Sequence, residues 1–179
     1  MTSGGEGSSG LLDQVLSLCW DDNPWQVIVV CGRNEHVRQR LLQLHSQFRT
    51  PALILGYVDT MPDAMRAADL VVGKAGPGAI AEAMVTGLPI LLTSYLPGQE
   101  TPNVRYVLYQ EVGLYVKKPD HLRGTVQSLL ERDGAELDRL TRRAALVARP
   151  GATEAIVDEC LRLVRRKPSL YWPLGQARR

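Results

Sequence analysis

A chain of 179 residues with 45% apolar and 22% charged side chains can bury one good hydrophobic core, and its composition excludes the disordered and fibrous classes. A single Phe48 and 6% aromatic content argue against an oligonucleotide-stacking platform, and the cysteines Cys19, Cys31 and Cys160, without CxxC spacing, read as reduced thiols rather than a disulfide frame or zinc site. The net charge of +2 averages two unlike parts: residues 1–138 carry 11 basic and 16 acidic side chains (−5), and residues 139–179 carry 10 basic and 3 acidic (+7).

Residues 1–10 are Gly/Ser-rich without Arg, which fits neither a signal nor a transit peptide. Gly5, Gly7 and Gly10 satisfy G-x-G-x-x-G, so a dinucleotide-binding loop and a plain linker both stand as readings. After a helix over Leu11–Trp20, the near-continuous apolar run 26–31 predicts a parallel strand covered on both faces. A helix with Val37, Leu41, Leu44 and Phe48 on one side runs up to Pro51. Residues 52–56 read as a second strand, 61–68 as a short helix, 69–73 as a third strand, 78–86 as a helix and 88–92 as a fourth strand, with Gly87 between the last two. A polar loop covers 95–103, a fifth strand 113–116, and the chain then reads as helical to about Arg166. No run reaches the roughly 18 apolar residues of a membrane span. Strands alternating with helices predict an α/β fold, a Rossmann-like parallel sheet with helices on both faces. Residues 1–166 read as one domain whose first strand is cut to Met1–Ser3, and 167–179 as a basic tail.

The strongest chemical signal is Val72-Gly-Lys-Ala-Gly-Pro-Gly-Ala-Ile-Ala-Glu-Ala83. A strand ends, glycines allow a tight turn, and a helix starts with Pro77 in its first turn. Open amides and the positive end of the helix dipole then converge, which favours a phosphate. Glu82 lies one turn beyond Gly78 on the same helix face, where a carboxylate can accept two hydrogen bonds from a ribose diol; a solvated surface Glu is the plain alternative. In the loop after the fourth strand, Gln99 and Glu100 offer an amide and a carboxylate suited to sugar hydroxyls, though a polar turn alone would read the same way. His36, His45 and His121 cannot form a ligand set, and no Asp-x-Asp, HExxH or Cys/His cluster occurs, so no metal site is expected. G-x-S-x-G and GKS/GKT strings are absent as well.

Taken together, Gly-Gly-Glu-Gly at 4–7, Cys-Gly-Arg-Asn at 31–34, the decapeptide 74–83, Gly-Leu-Pro-Ile at 87–90, and Pro-Gly-Gln-Glu at 97–100 with Asn103 resemble the carboxyl-terminal half of plant and algal monogalactosyldiacylglycerol synthases. The spacing holds from Gly4 to about Pro119, and bacterial diacylglycerol glucosyltransferases and the peptidoglycan-precursor GlcNAc transferase share it more loosely. The resemblance implies the C-terminal domain of a GT-B fold, glycosyltransferase family 28-like, in a metal-independent and β-inverting transfer of galactose from UDP-galactose to 1,2-diacylglycerol. No cofactor beyond the UDP-galactose donor is implied. By the same resemblance Gly5, Glu6 and Gly7 line the diphosphate from one side. Arg33 lies near the phosphates or uracil, and Gly56, Tyr57 and Val58 flank the uracil. Ala75, Gly76, Pro77 and Gly78 give amides to the diphosphate with Lys74 at the loop's mouth. Glu82 holds the ribose, and Gln99, Glu100 and Asn103 belong to the galactose end. The acceptor-binding half with its catalytic base lies outside the matched strings, so this chain alone is expected to be inactive. A non-catalytic UDP-sugar-binding module, or the donor subunit of a two-chain glycosyltransferase, is the alternative. An NAD(P) enzyme would rest on Gly5, Gly7 and Gly10 alone. Location at the plastid envelope as a peripheral membrane protein follows from the family. The basic tail with Tyr171 and Trp172 suits an anionic membrane surface better than nucleic acid, a solvated terminus being the plain reading.

Overall fold

Five short apolar runs form the strands of a computed structural model that describes residues 1–2 and 10–165. They are β1 (Val27–Val30), β2 (Ala52–Leu55), β3 (Val71–Lys74), β4 (Ile90–Ser94) and β5 (Gly113–Tyr115). All ladders are parallel: β1 pairs β2, and β4 sits between β3 and β5. Thr2 joins the two sets through parallel bridges to Val30 and to Gly73. Its amide donates to the Val72 carbonyl at 2.9 Å, and the Met1 carbonyl accepts from Val30 at 2.9 Å. The order across the sheet is therefore β2, β1, Thr2, β3, β4, β5, with Met1 and Thr2 of the first strand read in the sequence at its centre. At Gly73 a Cβ would lie 2.7 Å from the Thr2 carbonyl oxygen, so this close approach needs a residue without one.

Alternation along the strands sorts the helices onto two faces. Val72 and Leu91 look to one side, where α1 (Leu11–Cys19), α2 (Glu35–Leu44) and α6 (Pro119–Leu130) supply Leu11, Val15, Leu18, Leu41, Leu122 and Val126. Val71, Ile90 and Leu92 look to the other. There α3 (Met61–Arg66), α4 (Pro77–Val85), α5 (Thr101–Tyr109) and α7 (Ala135–Val147) supply Met65, Ile80, Ala83, Val104, Val107 and Ala144. This is the α/β arrangement with helices on both faces that the alternation of elements predicts.

Local signals set the helix starts. The Asn34 side chain accepts from the Val37 amide at 3.0 Å and caps α2. Proline stands in the first turn of α3, α4, α5 and α6. Three readings differ from the observed elements. The helix expected up to Pro51 ends at Leu44 and is followed by a 3-10 turn over His45–Gln47, with Phe48 extended. The polar loop expected over 95–103 ends at Glu100, and Asn103 belongs to α5 because Val104 and Val107 pack into the core. The stretch expected to be helical from residue 117 to about Arg166 is divided into three helices. Asp133 and Gly134 break it with positive φ, 57° and 75°, and the Pro150-Gly151 pair breaks it again before α8 (Ala152–Arg165).

The chain divides into compact units at Ala148/Arg149. The boundary expected at 166/167 lies just past α8, and the basic tail 167–179 is outside the described residues. Within the second unit α8 exposes Ile156, Val157, Leu161, Leu163 and Val164, and Arg162 pairs with Glu159 one turn before it.

Candidate functional site

Parallel sheets present their ligand-binding loops at the carboxyl ends of the strands, on the side where β3 leads into α4. The strand ends at Lys74, two residues turn, and Pro77 opens the helix. Gly76 is extended, with φ −70° and ψ 136°, and no side chain caps α4. The first-turn amides of Gly78 and Ala79 therefore have no capping partner among the described residues and stand at the positive end of the helix dipole. Neither Gly76 nor Gly78 has a positive φ, and among the described residues a Cβ built on either meets nothing within 4 Å. The turn itself does not require glycine at these positions. What glycine provides there is open space beside uncapped amides.

The neighbouring loop, residues 95–100 between β4 and α5, and the element ends that flank it are tied to that turn by three links. The Ala75 amide donates to the Ser94 carbonyl at 2.8 Å. Lys74 Nζ pairs with Glu100 Oε1 at 2.9 Å. Asn103 Nδ2 donates to the Ala75 carbonyl at 2.9 Å. Glu100 is only 4% exposed, and its second oxygen accepts from the Leu96 amide at 2.7 Å. Gln99 is exposed at the outside of the loop. Tyr95, at the loop's start, stacks edge-on against Tyr115 of β5 at 5.7 Å between centroids, and burial with the neighbouring Tyr95 pushes the Tyr115 phenol up.

At the carboxyl ends of β1 and β2 the structure brings together Arg33 and Tyr57. The guanidinium carbon lies 5.3 Å from the centre of the Tyr57 ring, and both side chains are exposed. Gly32 supplies the left-handed turn before Arg33 with φ 59°. A Cβ at Gly56 would meet Arg38 Cδ at 3.4 Å, so the end of β2 lies against the Arg38 side chain of α2.

Of the residues singled out in the sequence, Lys74, Ala75, Gly76, Pro77, Gly78, Gln99, Glu100 and Asn103 gather at the β3 and β4 ends. Glu82 is exposed on α4 one turn after Gly78. Gly5, Glu6 and Gly7 lie outside the described residues. The links from Lys74 to Glu100 and from Asn103 to Ala75 were not legible in the sequence, since each joins residues more than 25 positions apart and follows no period. A cavity of about 440 Å3 lies at the opposite, amino-terminal ends of β1 and β3, lined by Trp25, Val27, Met61, Leu70 and Leu129. Its wall is mainly apolar and gathers none of the residues above.

Residues 1–158 match the family described as glycosyltransferase family 28 C-terminal domain. The chain is 38% identical over 145 residues to monogalactosyldiacylglycerol synthase 1, chloroplastic, of Arabidopsis thaliana, which covers 81% of this chain and 27% of that protein. It is 39% identical over 142 residues to the chloroplastic monogalactosyldiacylglycerol synthase of Spinacia oleracea, covering 79% and 27%. The chain thus spans about a quarter of the length of these relatives. Among solved structures, MurG of Acinetobacter baumannii superposes with a TM-score of 0.73 at 19% identity, over 90% of this chain and 48% of that one. The glycosyltransferase VinC, solved in complex with dTDP, gives 0.59 at 18% identity, over 93% and 41%. These likenesses show the α/β half of a GT-B fold.

Proposed function

The chain belongs to the glycosyltransferase family 28 C-terminal domains, and from that premise we propose that it is the donor-holding half of a hexosyltransferase that moves galactose from UDP-galactose to 1,2-diacylglycerol. The observation that carries this reading is the α4 start: uncapped amides beside two glycines that leave open space and whose backbone does not need glycine. A diphosphate fits that description. VinC, of the same fold, was solved with the nucleoside diphosphate dTDP, and the curated relatives are galactolipid synthases by name.

In this reading the diphosphate sits against the 75–78 turn, with Gly5, Glu6 and Gly7 on its other side. Arg33 and Tyr57, with Gly56 and Val58, take the uracil. Glu82, exposed and one turn along α4, takes the ribose hydroxyls. Gln99 reaches the hexose. As the glycosidic bond breaks, negative charge grows on the departing UDP, and the fixed amide dipoles at the α4 start stabilise it more than they stabilise the ground state, while Lys74 at the loop's mouth is held by Glu100. The acceptor site and catalytic base are not among the residues the resemblance carries over. The 179-residue chain is therefore expected to bind the donor and not to transfer it.

Calorimetry with UDP, UDP-galactose and NADP tests the reading. UDP and UDP-galactose should bind and NADP should not. Glu82→Ala should weaken both uridine ligands by about tenfold or more, the loss expected for hydrogen bonds to a charged carboxylate. Binding of NADP in place of UDP, or wild-type affinity in Glu82→Ala, would overturn it, as would galactose transfer to diacylglycerol by the chain alone.

We further propose a peripheral position at an anionic plastid envelope membrane. Support comes from the sequence of 165–179, with five Arg or Lys beside Leu170, Tyr171 and Trp172, since each basic residue near such a surface contributes about 1 kcal/mol and Trp favours the interface. Flotation on anionic liposomes should fall when residues 167–179 are removed; equal partitioning of the two chains would rule this out.

A further inference from the structure

The loop that would meet the hexose is held by residues at the start of its own helix. Glu100 precedes α5, and both of its oxygens are engaged inside the protein, one by Lys74 Nζ at 2.9 Å and one by the Leu96 amide at 2.7 Å. One turn on, Asn103 Nδ2 reaches the Ala75 carbonyl at 2.9 Å. Lys74 and Ala75 are consecutive residues at the end of β3, so both links end on the turn that opens α4. The Glu100 amide also donates back to the Leu96 carbonyl at 2.8 Å, which closes the loop on itself. Gln99, next to Glu100, is exposed, and its side chain has no partner among the described residues.

This division of labour differs from the one implied by resemblance, in which Gln99 and Glu100 both touch the sugar. A buried carboxylate that balances a partly buried ammonium is fixed by that duty. Removing it leaves Lys74 without its counter-charge and frees the Leu96 end of the loop. We propose that Glu100 and Asn103 are positioning residues that lock loop 95–100 to the 74–76 turn, so that the diphosphate and hexose ends of the pocket move as one piece and Gln99 reads the hexose. The roles given to the two ends rest on the nucleotide-sugar reading above; the lock itself does not.

Two measurements on the full chain separate these levels. In hydrogen exchange without ligand, Glu100→Gln and Asn103→Ala should each speed exchange at Leu96 and Gly98 by about tenfold or more, as expected when bonds that hold a segment closed are lost, with the β1 amides unchanged. Unchanged exchange at Leu96 and Gly98 in both variants would overturn the lock. Asn103→Ala carries this test if Glu100→Gln does not fold. In calorimetry, Glu100→Gln and Asn103→Ala should weaken UDP and UDP-galactose by the same factor, about tenfold, keeping the ratio of the two affinities. Gln99→Ala should weaken UDP-galactose and leave UDP unchanged. If Glu100→Gln spares UDP and weakens only UDP-galactose, Glu100 is a sugar contact and the proposal fails. If wild type binds neither ligand, the nucleotide-sugar reading fails, and the exchange result still decides whether the lock exists.

Discussion

Gly113→Ala is expected to leave the chain largely unfolded or to lower its melting temperature by about 10 °C or more, the result of a loss of at least about 4 kcal/mol in a protein of this size. Gly113 is the first residue of β5 and stands opposite Ile90 in the parallel ladder with β4. A Cβ there would lie 1.9 Å from the Ile90 carbonyl oxygen and 2.9 Å from the carbonyl carbon. Those are backbone atoms of a strand hydrogen-bonded on both sides, so the clash cannot be relieved by a side-chain rotation. The two strands must part, and Ile90, Leu91 and Leu92, all at most 1% exposed, lose their packing with them. Gly124→Ala provides the control. Gly124 is exposed in the middle of α6, among the described residues nothing outside its own helix turn lies within 4 Å of its added Cβ, and alanine there should stabilise by up to about 1 kcal/mol. Thermal melts of the two variants should move in opposite directions. Equal melting temperatures for Gly113→Ala and wild type would contradict the close approach of β4 and β5.

How far the sequence discloses this arrangement depends on the kind of signal. The strands are legible because parallel strands covered on both faces read as unbroken apolar runs, as Val27–Val30 and Ile90–Leu92 do. Helix α5 is not legible, because Thr101–Tyr109 is rich in β-branched and aromatic residues and carries a proline; it is helical because Val104 and Val107 fill the core beneath it. The break at Asp133 and Gly134 is a backbone event of two residues that a periodicity spanning eleven or more does not register.

The site shows the same split. The string 74–83 announces a strand, a turn and a helix start, and the structure supplies them. The reason for its glycines changes, however: the sequence suggests a turn that needs them, while the backbone at Gly76 and Gly78 is one that any residue adopts. Glu100 changes in the opposite direction. In sequence it is a carboxylate in a polar loop, open to sugar hydroxyls, and in the fold it is buried against Lys74. Long-range pairs of this kind leave no local trace.

Gly78→Ala separates structural from functional use of a glycine, and its expected effects have opposite signs. Gly78 lies in the first turn of α4, and among the described residues the added methyl meets nothing within 4 Å beyond its own helix turn. Alanine is the better helix former, so the variant should melt at the wild-type temperature or up to about 4 °C higher, the equivalent of at most about 1 kcal/mol. Its affinity for UDP-galactose should nevertheless fall by about 10- to 100-fold. A methyl group at that position occupies the space through which a phosphate approaches the Gly78 and Ala79 amides, and one charge-assisted hydrogen bond is worth about 1.5–3 kcal/mol. Calorimetry paired with thermal melts reads both effects in one preparation. A variant that is as stable as wild type and binds UDP-galactose equally well would show that the open space at the α4 start is not used by the diphosphate. A variant that loses stability as well would show that the helix start is tighter than the 4 Å clearance around Gly78 indicates. Retained stability with lost affinity would place the phosphate at these amides, because no contact among the described residues would then account for the glycine.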